Sequence, residues 1–183
     1  AIGVGLGWNV QEFEAVGVDF ATRGPRTDET LEILRRFRPG EWVEHHGRFY
    51  DIPRLQQAPA IPEELRIFVG GDSPAALRRA ARFGDGWCSR APSVEAVVEL
   101  IPRVQDALAE AGRSSEGFEI FAMCPEATDI ETVDRLSRAG VTEVQLWPWL
   151  RYGVDAADLE GKLDSVRRFA RDVIEPLRSG AGR

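Results

Sequence analysis

Apolar residues fall along this chain in short runs, separated by longer stretches of helical periodicity. Five runs read as strands: Ile2 to Gly7, Arg66 to Val69, Gly86 to Ser89, Phe118 to Cys124 and Val141 to Trp147. Between them, Leu31, Ile33, Leu34 and Phe37 form one face of a helix over about Pro25 to Phe37, which Pro39-Gly40 closes. Asp72 or Ser73 can cap a helix that has Pro74 in its first turn and Gly84 past its end. Ser93 caps a long helix in which Val97, Ile101, Val104 and Leu108 recur, with Pro102 as a point of kinking. Asp129 to Ala139 is a helix ended by Gly140, and Asp158 to Leu177 is the last.

Two stretches break the alternation. Glu41 to Asp51 reads as a small hairpin about Gly47, and Pro53 to Pro62, with three prolines, reads as a loop. Strands alternating with helices imply right-handed βαβ units on a parallel sheet, so the fold class is α/β. Five units fall short of the eight-fold barrel, which needs about 250 residues, and they could equally form an open doubly wound sheet.

Composition narrows the field. The 183 residues carry 23 Lys plus Arg against 30 Asp plus Glu, a net charge of −7 that is unsuited to the phosphates of nucleic acid. The longest stretch without a charged side chain is Ala1 to Gln11, far short of a membrane span. No basic start with an apolar core and a cleavage site is present, so a cytoplasmic location is expected. Cys88 and Cys124 are far apart in apolar stretches and read as free thiols. Lys162 is the single lysine beside 22 arginines, a coding bias of GC-rich genomes. The chain has no initiating Met and opens inside an apolar run, so its front is expected to be cut. Residues 1–177 read as one domain and 178–183 as a flexible tail.

The clearest chemical signal is Gly70-Gly71-Asp72-Ser73-Pro74. A strand ends, glycines let the backbone approach a ligand, and a helix begins, so its amides, its dipole and the Ser73 hydroxyl could hold a phosphate. The same pattern also serves as a plain strand-to-helix turn with Asp72 or Ser73 as cap. Gly3, Gly5 and Gly7 leave one strand face without side chains, but the G-x-G-x-x-G fingerprint fails at Trp8 and Val10. Trp87 and Trp8 are either core or an aromatic wall beside a planar cofactor. His45 and His46 are strand neighbours and should face opposite sides, which argues against a shared metal.

In order and spacing these pieces resemble the luciferase-like monooxygenase superfamily of flavin- and deazaflavin-dependent enzymes. The resemblance rests on Gly3-Val4-Gly5-Leu6-Gly7-Trp8-Asn9 with Glu12-Phe13, Arg23-Gly24, Thr27-Asp28-Glu29 and Gly47-Arg48-Phe49-Tyr50. It continues through Ile67-Phe68-Val69-Gly70-Gly71-Asp72-Ser73 and Ala80-Ala81-Arg82-Phe83-Gly84-Asp85-Gly86-Trp87. It implies a partial TIM (β/α)8 barrel whose five strands are strands four to eight. It also implies a cofactor, coenzyme F-420 or FMN, at the carboxyl ends of the strands. Gly70, Gly71, Asp72 and Ser73 match the cofactor-phosphate loop, Gly5, Gly7, Trp8 and Asn9 the segment near the ring edge, and Asp85, Gly86 and Trp87 the strand beside that loop.

The implied function is oxidoreduction of a small organic substrate, by hydride transfer with the deazaflavin or by oxygenation through a flavin peroxide with FMN. The arginine-rich composition fits actinobacteria, where the deazaflavin is common, and favours the first. Deazaflavin sugar-phosphate dehydrogenases of the family carry a glutamate where Trp8 stands here, which argues against that substrate. Two alternatives remain at this stage. The chain could be a non-catalytic remnant that persists as a homodimer because its edge strands lack partners, or an open-sheet nucleotide enzyme.

Overall fold

A computed structural model describes residues 1–59, 65–125, 127 and 129–179, which divide into two compact units, 1–87 and 88–183. The first unit opens with β1 (Ile2–Val4). It is shorter than the apolar run implies, because Gly7 turns the chain at φ +79° and Asn9 caps a helix, α1 (Val10–Ala15), through Gln11 N–H. That helix buries no residue, so it leaves no periodic trace in the sequence. A 3-10 turn over Phe20–Thr22 leads into α2 (Arg23–Leu34), which buries Leu31 and Ile33.

The hairpin is longer than expected. β2 (Trp42–His46) pairs antiparallel with β3 (Asp51–Gln56), so residues 53–56 are strand rather than loop, while 60–62 lie outside the described residues. The register shifts between Val43 and His45, opposite Pro53. An irregular ladder in a two-stranded ribbon is where proline's missing N–H is tolerated.

Next come β4 (Ile67–Gly70), α3 (Pro74–Phe83) and β5 (Gly86–Ser89), at whose middle the two units divide. β1 and β4 run parallel in the register Ile2 with Ile67, Gly3 with Phe68 and Val4 with Val69, and β5 is the next neighbour of β4. Ser73, not Asp72, caps α3, accepting from Ala76 N–H at 3.2 Å. The core of this unit gathers Leu31, Ile33, Val43, Ile67, Val69, Leu77, Ala80 and Trp87, all buried.

The second unit carries the remaining βα alternation. α4 (Val94–Glu110) is capped by Ser93 and passes through Pro102 without interruption. β6 (Glu119–Met123) and β7 (Glu143–Gln145) pair parallel around α5 (Ile130–Ala139), which Asp129 caps and Gly140 ends at φ +107°. A short α6 (Pro148–Arg151) precedes α7 (Leu159–Phe169). The last helical stretch then widens to a π turn over Ala170–Ile174 before α8 (Glu175–Ser179). Arg178 and Ser179, expected in a flexible tail, continue the helix, and 180–183 lie outside the described residues. Cys88 and Cys124 are free thiols, as expected. Among the described residues no helix is long and apolar enough to cross a membrane.

A single carboxylate ties the first unit together. Asp85 Oδ2 accepts from Ile67 N–H at 2.7 Å and from the Arg35 guanidinium at 2.9 Å, and Asp85 N–H donates to Ile67 C=O at 2.7 Å. Arg35 Nε also donates to Phe83 C=O at 2.8 Å, and its Nη1 to Leu65 C=O at 3.3 Å. One guanidinium thus joins the end of α2, the end of α3 and the start of β4. Both side chains are largely shielded, at 24% and 30% exposure. Replacing Arg35→Ala leaves two carbonyls and a carboxylate without this partner and should destabilise the protein by about 2 kcal/mol. A denaturant melt checks it, and an unchanged midpoint would show that the network contributes nothing.

Candidate functional site

Parallel pairing brings the carboxyl ends of β1 and β4 side by side. With Val4 level with Val69, Gly5 follows beside Gly70, so the segment Gly5–Asn9 and the turn Gly70–Ser73 leave the sheet together. In this class of fold the carboxyl edge of the strands is where ligands are held.

The turn is shaped from below. Gly71 lies at φ +118°, and a Cβ there would stand 3.0 Å from the Ala76 Cβ, so only glycine fits without strain. Its carbonyl accepts from Trp87 Nε1 at 2.7 Å. Beyond it α3 begins, with the first-turn amides and positive dipole end that favour an anion. In its cap bond Ser73 Oγ is an acceptor, which leaves its own O–H proton to donate. The Asp72 carboxylate, half-buried beside this end, is the group least suited to a phosphate.

Along β1 and the three residues after it, burial alternates. Ile2, Val4 and Leu6 are half-buried, while Gly3, Gly5 and Gly7 are exposed, and a Cβ on Gly3 or Gly5 would meet nothing within 4 Å. Gly3 and Gly5 thus border open space of the kind a planar ring needs, whereas a Cβ on Gly7 would stand 2.8 Å from the Phe13 ring. Trp8 stands at 76% exposure beside that space. Asn9 is committed to helix α1: its Oδ1 accepts from Gln11 N–H and its Nδ2 donates to Glu12 Oε1, each at 3.1 Å.

The structure does not bring every candidate together. Asp85 stands just before β5 and Gly86 opens it, so they lie at the amino end of the strands, level with Ile67 rather than with the turn. Asp85 is spent on Ile67 and Arg35, and Gly86 is buried. Trp87 is fully buried, which makes it core and support for Gly71 rather than a wall against a ligand.

One group that the sequence reading left without a role is Glu29, on α2. Its Oε1 takes the N–H of Tyr50 at 2.9 Å and of Phe49 at 3.1 Å, and pairs with His45 Nε2 at 3.0 Å. Burial opposes its charge, but the His45 bond and the two amides outweigh that effect and hold the carboxyl below the ordinary glutamate range. His46 faces the other way, bonded to Asp51 and to Glu44, so the two histidines do point to opposite sides. Among the described residues no group of three or more His, Cys, Asp or Glu side chains could hold a metal.

Parallel strands alternating with helices define an α/β protein. The chain matches the luciferase-like monooxygenase family over residues 1–171, and it belongs to that family. It is 39% identical over 177 residues to an uncharacterised protein of Mycobacterium tuberculosis, covering 94% of this chain and 61% of that one. It is 29% identical over 124 residues to an F420-dependent glucose-6-phosphate dehydrogenase of Segniliparus rotundus, covering 64% of this chain and 37% of that enzyme. In fold it is similar to an F420-dependent secondary alcohol dehydrogenase solved with an F420-acetone adduct, at TM-score 0.67 and 16% identity, over 79% of this chain and 62% of that one. Its fold class is accordingly that of a partial TIM (β/α)8 barrel. The chain spans about three fifths of the length of the Mycobacterium protein.

The Glu29 geometry makes a pH prediction. A carboxyl whose folded-state pKa is depressed contributes stability above its unfolded pKa, and loses it as the pH falls through the folded value. Glu29→Gln should therefore lower stability at neutral pH and flatten its acid dependence below about pH 4.5. Melts of both proteins across that range check it, and parallel curves would show that the Glu29 bonds to His45, Phe49 and Tyr50 do not favour its charged form.

Proposed function

We propose that this chain forms part of an oxidoreductase that holds a phosphate-bearing, flavin-type cofactor on the carboxyl ends of β1 and β4. The cofactor is coenzyme F-420 and the reaction is hydride transfer with a small organic substrate. The observation that carries this is the pairing of two features on one edge: open space at Gly3 on β1 and at Gly5 just beyond it, and a glycine turn between β4 and the N-terminus of α3. The open space suits a flat ring and the turn suits a phosphate. The relative from Segniliparus and the secondary alcohol dehydrogenase, both named as F420-dependent, support the choice of cofactor.

The residues fit such a group. The first-turn amides of α3 and the Ser73 hydroxyl would hold the phosphate, Gly70 and Gly71 would let it approach the backbone, and Gly3 and Gly5 would leave room for the ring. When bound, the deazaflavin supplies a ring carbon that exchanges hydride with the substrate. Gly5, Gly7 and Trp8 would border that exchange, with the exposed indole of Trp8 excluding water from one side. Trp8 stands where the family's sugar-phosphate dehydrogenases carry a glutamate, so the substrate proposed is not a sugar phosphate.

A second reading, oxygenation with FMN, is favoured by the family's own description as monooxygenases. Both readings use the same turn, and the two cofactors separate them. Titrating the complete protein with coenzyme F-420 and with FMN should show binding of the first in preference to the second. Preference for FMN would support the oxygenase, and binding of neither would overturn both. Gly71→Ala forces φ out of the left-handed region and presses on Ala76. It should weaken cofactor binding by about tenfold or more, whichever cofactor is used. Unchanged affinity would take the turn out of the site.

A further inference from the structure

Trp87 is fully buried, yet it carries one polar atom, and that atom is spent on the turn: Nε1 donates to the Gly71 carbonyl at 2.7 Å. An apolar ring system of the same size would fill this core position but would leave the Gly71 carbonyl without its donor. The bond does something specific to the backbone. A trans peptide is planar, with its C=O and N–H on opposite sides. Drawing the Gly71 carbonyl toward the core therefore fixes the plane of the peptide that leads into Asp72. It sets the direction in which the chain enters Ser73 and the first turn of α3. Gly71 needs such a hold, because its φ of +118° lies in a broad region where glycine has several alternatives.

We propose that Trp87 is a positioning residue for the cofactor phosphate: its indole N–H, acting through the Gly71 carbonyl, aims the turn that binds the anion. This rests on the reading of the Gly70–Ser73 turn as a phosphate site and adds the residue that orients it. Trp87 itself touches no cofactor. Its effect is confined to ligands that carry the phosphate, which separates it from a merely structural tryptophan.

The test compares phosphate-bearing with phosphate-free ligands: coenzyme F-420 against its phosphate-free deazaflavin chromophore, and FMN against riboflavin. Dissociation constants are measured by fluorescence on the complete protein. The wild type should prefer the phosphate-bearing member of the pair it binds. In Trp87→Phe that preference should shrink about tenfold, the value of one well-placed hydrogen bond, while affinity for the phosphate-free member stays the same. A preference kept at the wild-type ratio overturns the proposal, however far the melting temperature falls. A wild type that binds both members equally, or neither, overturns the phosphate reading of the turn itself, and the proposal with it. Should Trp87→Phe fail to fold, the isosteric benzothienylalanine replacement keeps the ring system and removes only the N–H. The same loss of preference is expected there, and an undiminished preference overturns the proposal.

Discussion

The Asp85 carboxylate is the constraint on which the first half of the molecule depends. It closes the amino end of β4 by taking Ile67 N–H, and it holds the one guanidinium that also gathers the ends of α2 and α3. A peptide N–H at the start of a strand must find an acceptor, and a shielded arginine must find an anion. Asp85 answers both demands with one oxygen. The helix that begins at Ser73 is therefore fixed at its far end, by the Phe83 carbonyl, before any ligand is considered.

Two residues further on, Trp87 performs the complementary task at the carboxyl end of the same strand. β4 is thus bounded below by a carboxylate and above by an indole, both drawn from the segment that enters β5. Register does the rest. Because β1 runs parallel and level with β4, whatever fixes the height of β4 also fixes where Gly5 emerges beside Gly70. The hairpin is held on separate terms, by Glu29 reaching from α2 to the amides of Phe49 and Tyr50.

Much of this was legible because it is local. Strand, two glycines, a cap and a proline sit in consecutive positions at 70–74, and the structure places the turn there. The limits of β5, the Ser93 cap and the Gly140 stop were legible for the same reason. α1 was not, since six residues with no buried side chain produce no periodicity. β3 was hidden by Pro53, which marks a loop unless its neighbour strand is already known to shift register there. Glu29 was missed because its partners lie 16 to 21 residues away, a separation that no local pattern reports. Asp85 and Gly86 were read as matching the strand beside the phosphate loop, which says nothing of the height at which they stand. Asp85 stands just before β5 and Gly86 begins it, and in a parallel sheet that puts them at the end opposite Gly70.

The bare face of β1 has a consequence for how such a protein can change. At Gly3 and Gly5 there is no side chain to lengthen, recharge or exchange, and a Cβ would meet nothing within 4 Å. A ligand lying there would meet main chain alone, and main chain is the same whatever the neighbouring sequence. Point substitution can only fill this strip, never refine it. Selectivity between one small molecule and another must then be written elsewhere, on segments whose side chains can vary, while this strand remains a fixed floor. Variation in this region begins with Trp8, the first strongly exposed side chain beyond these glycines.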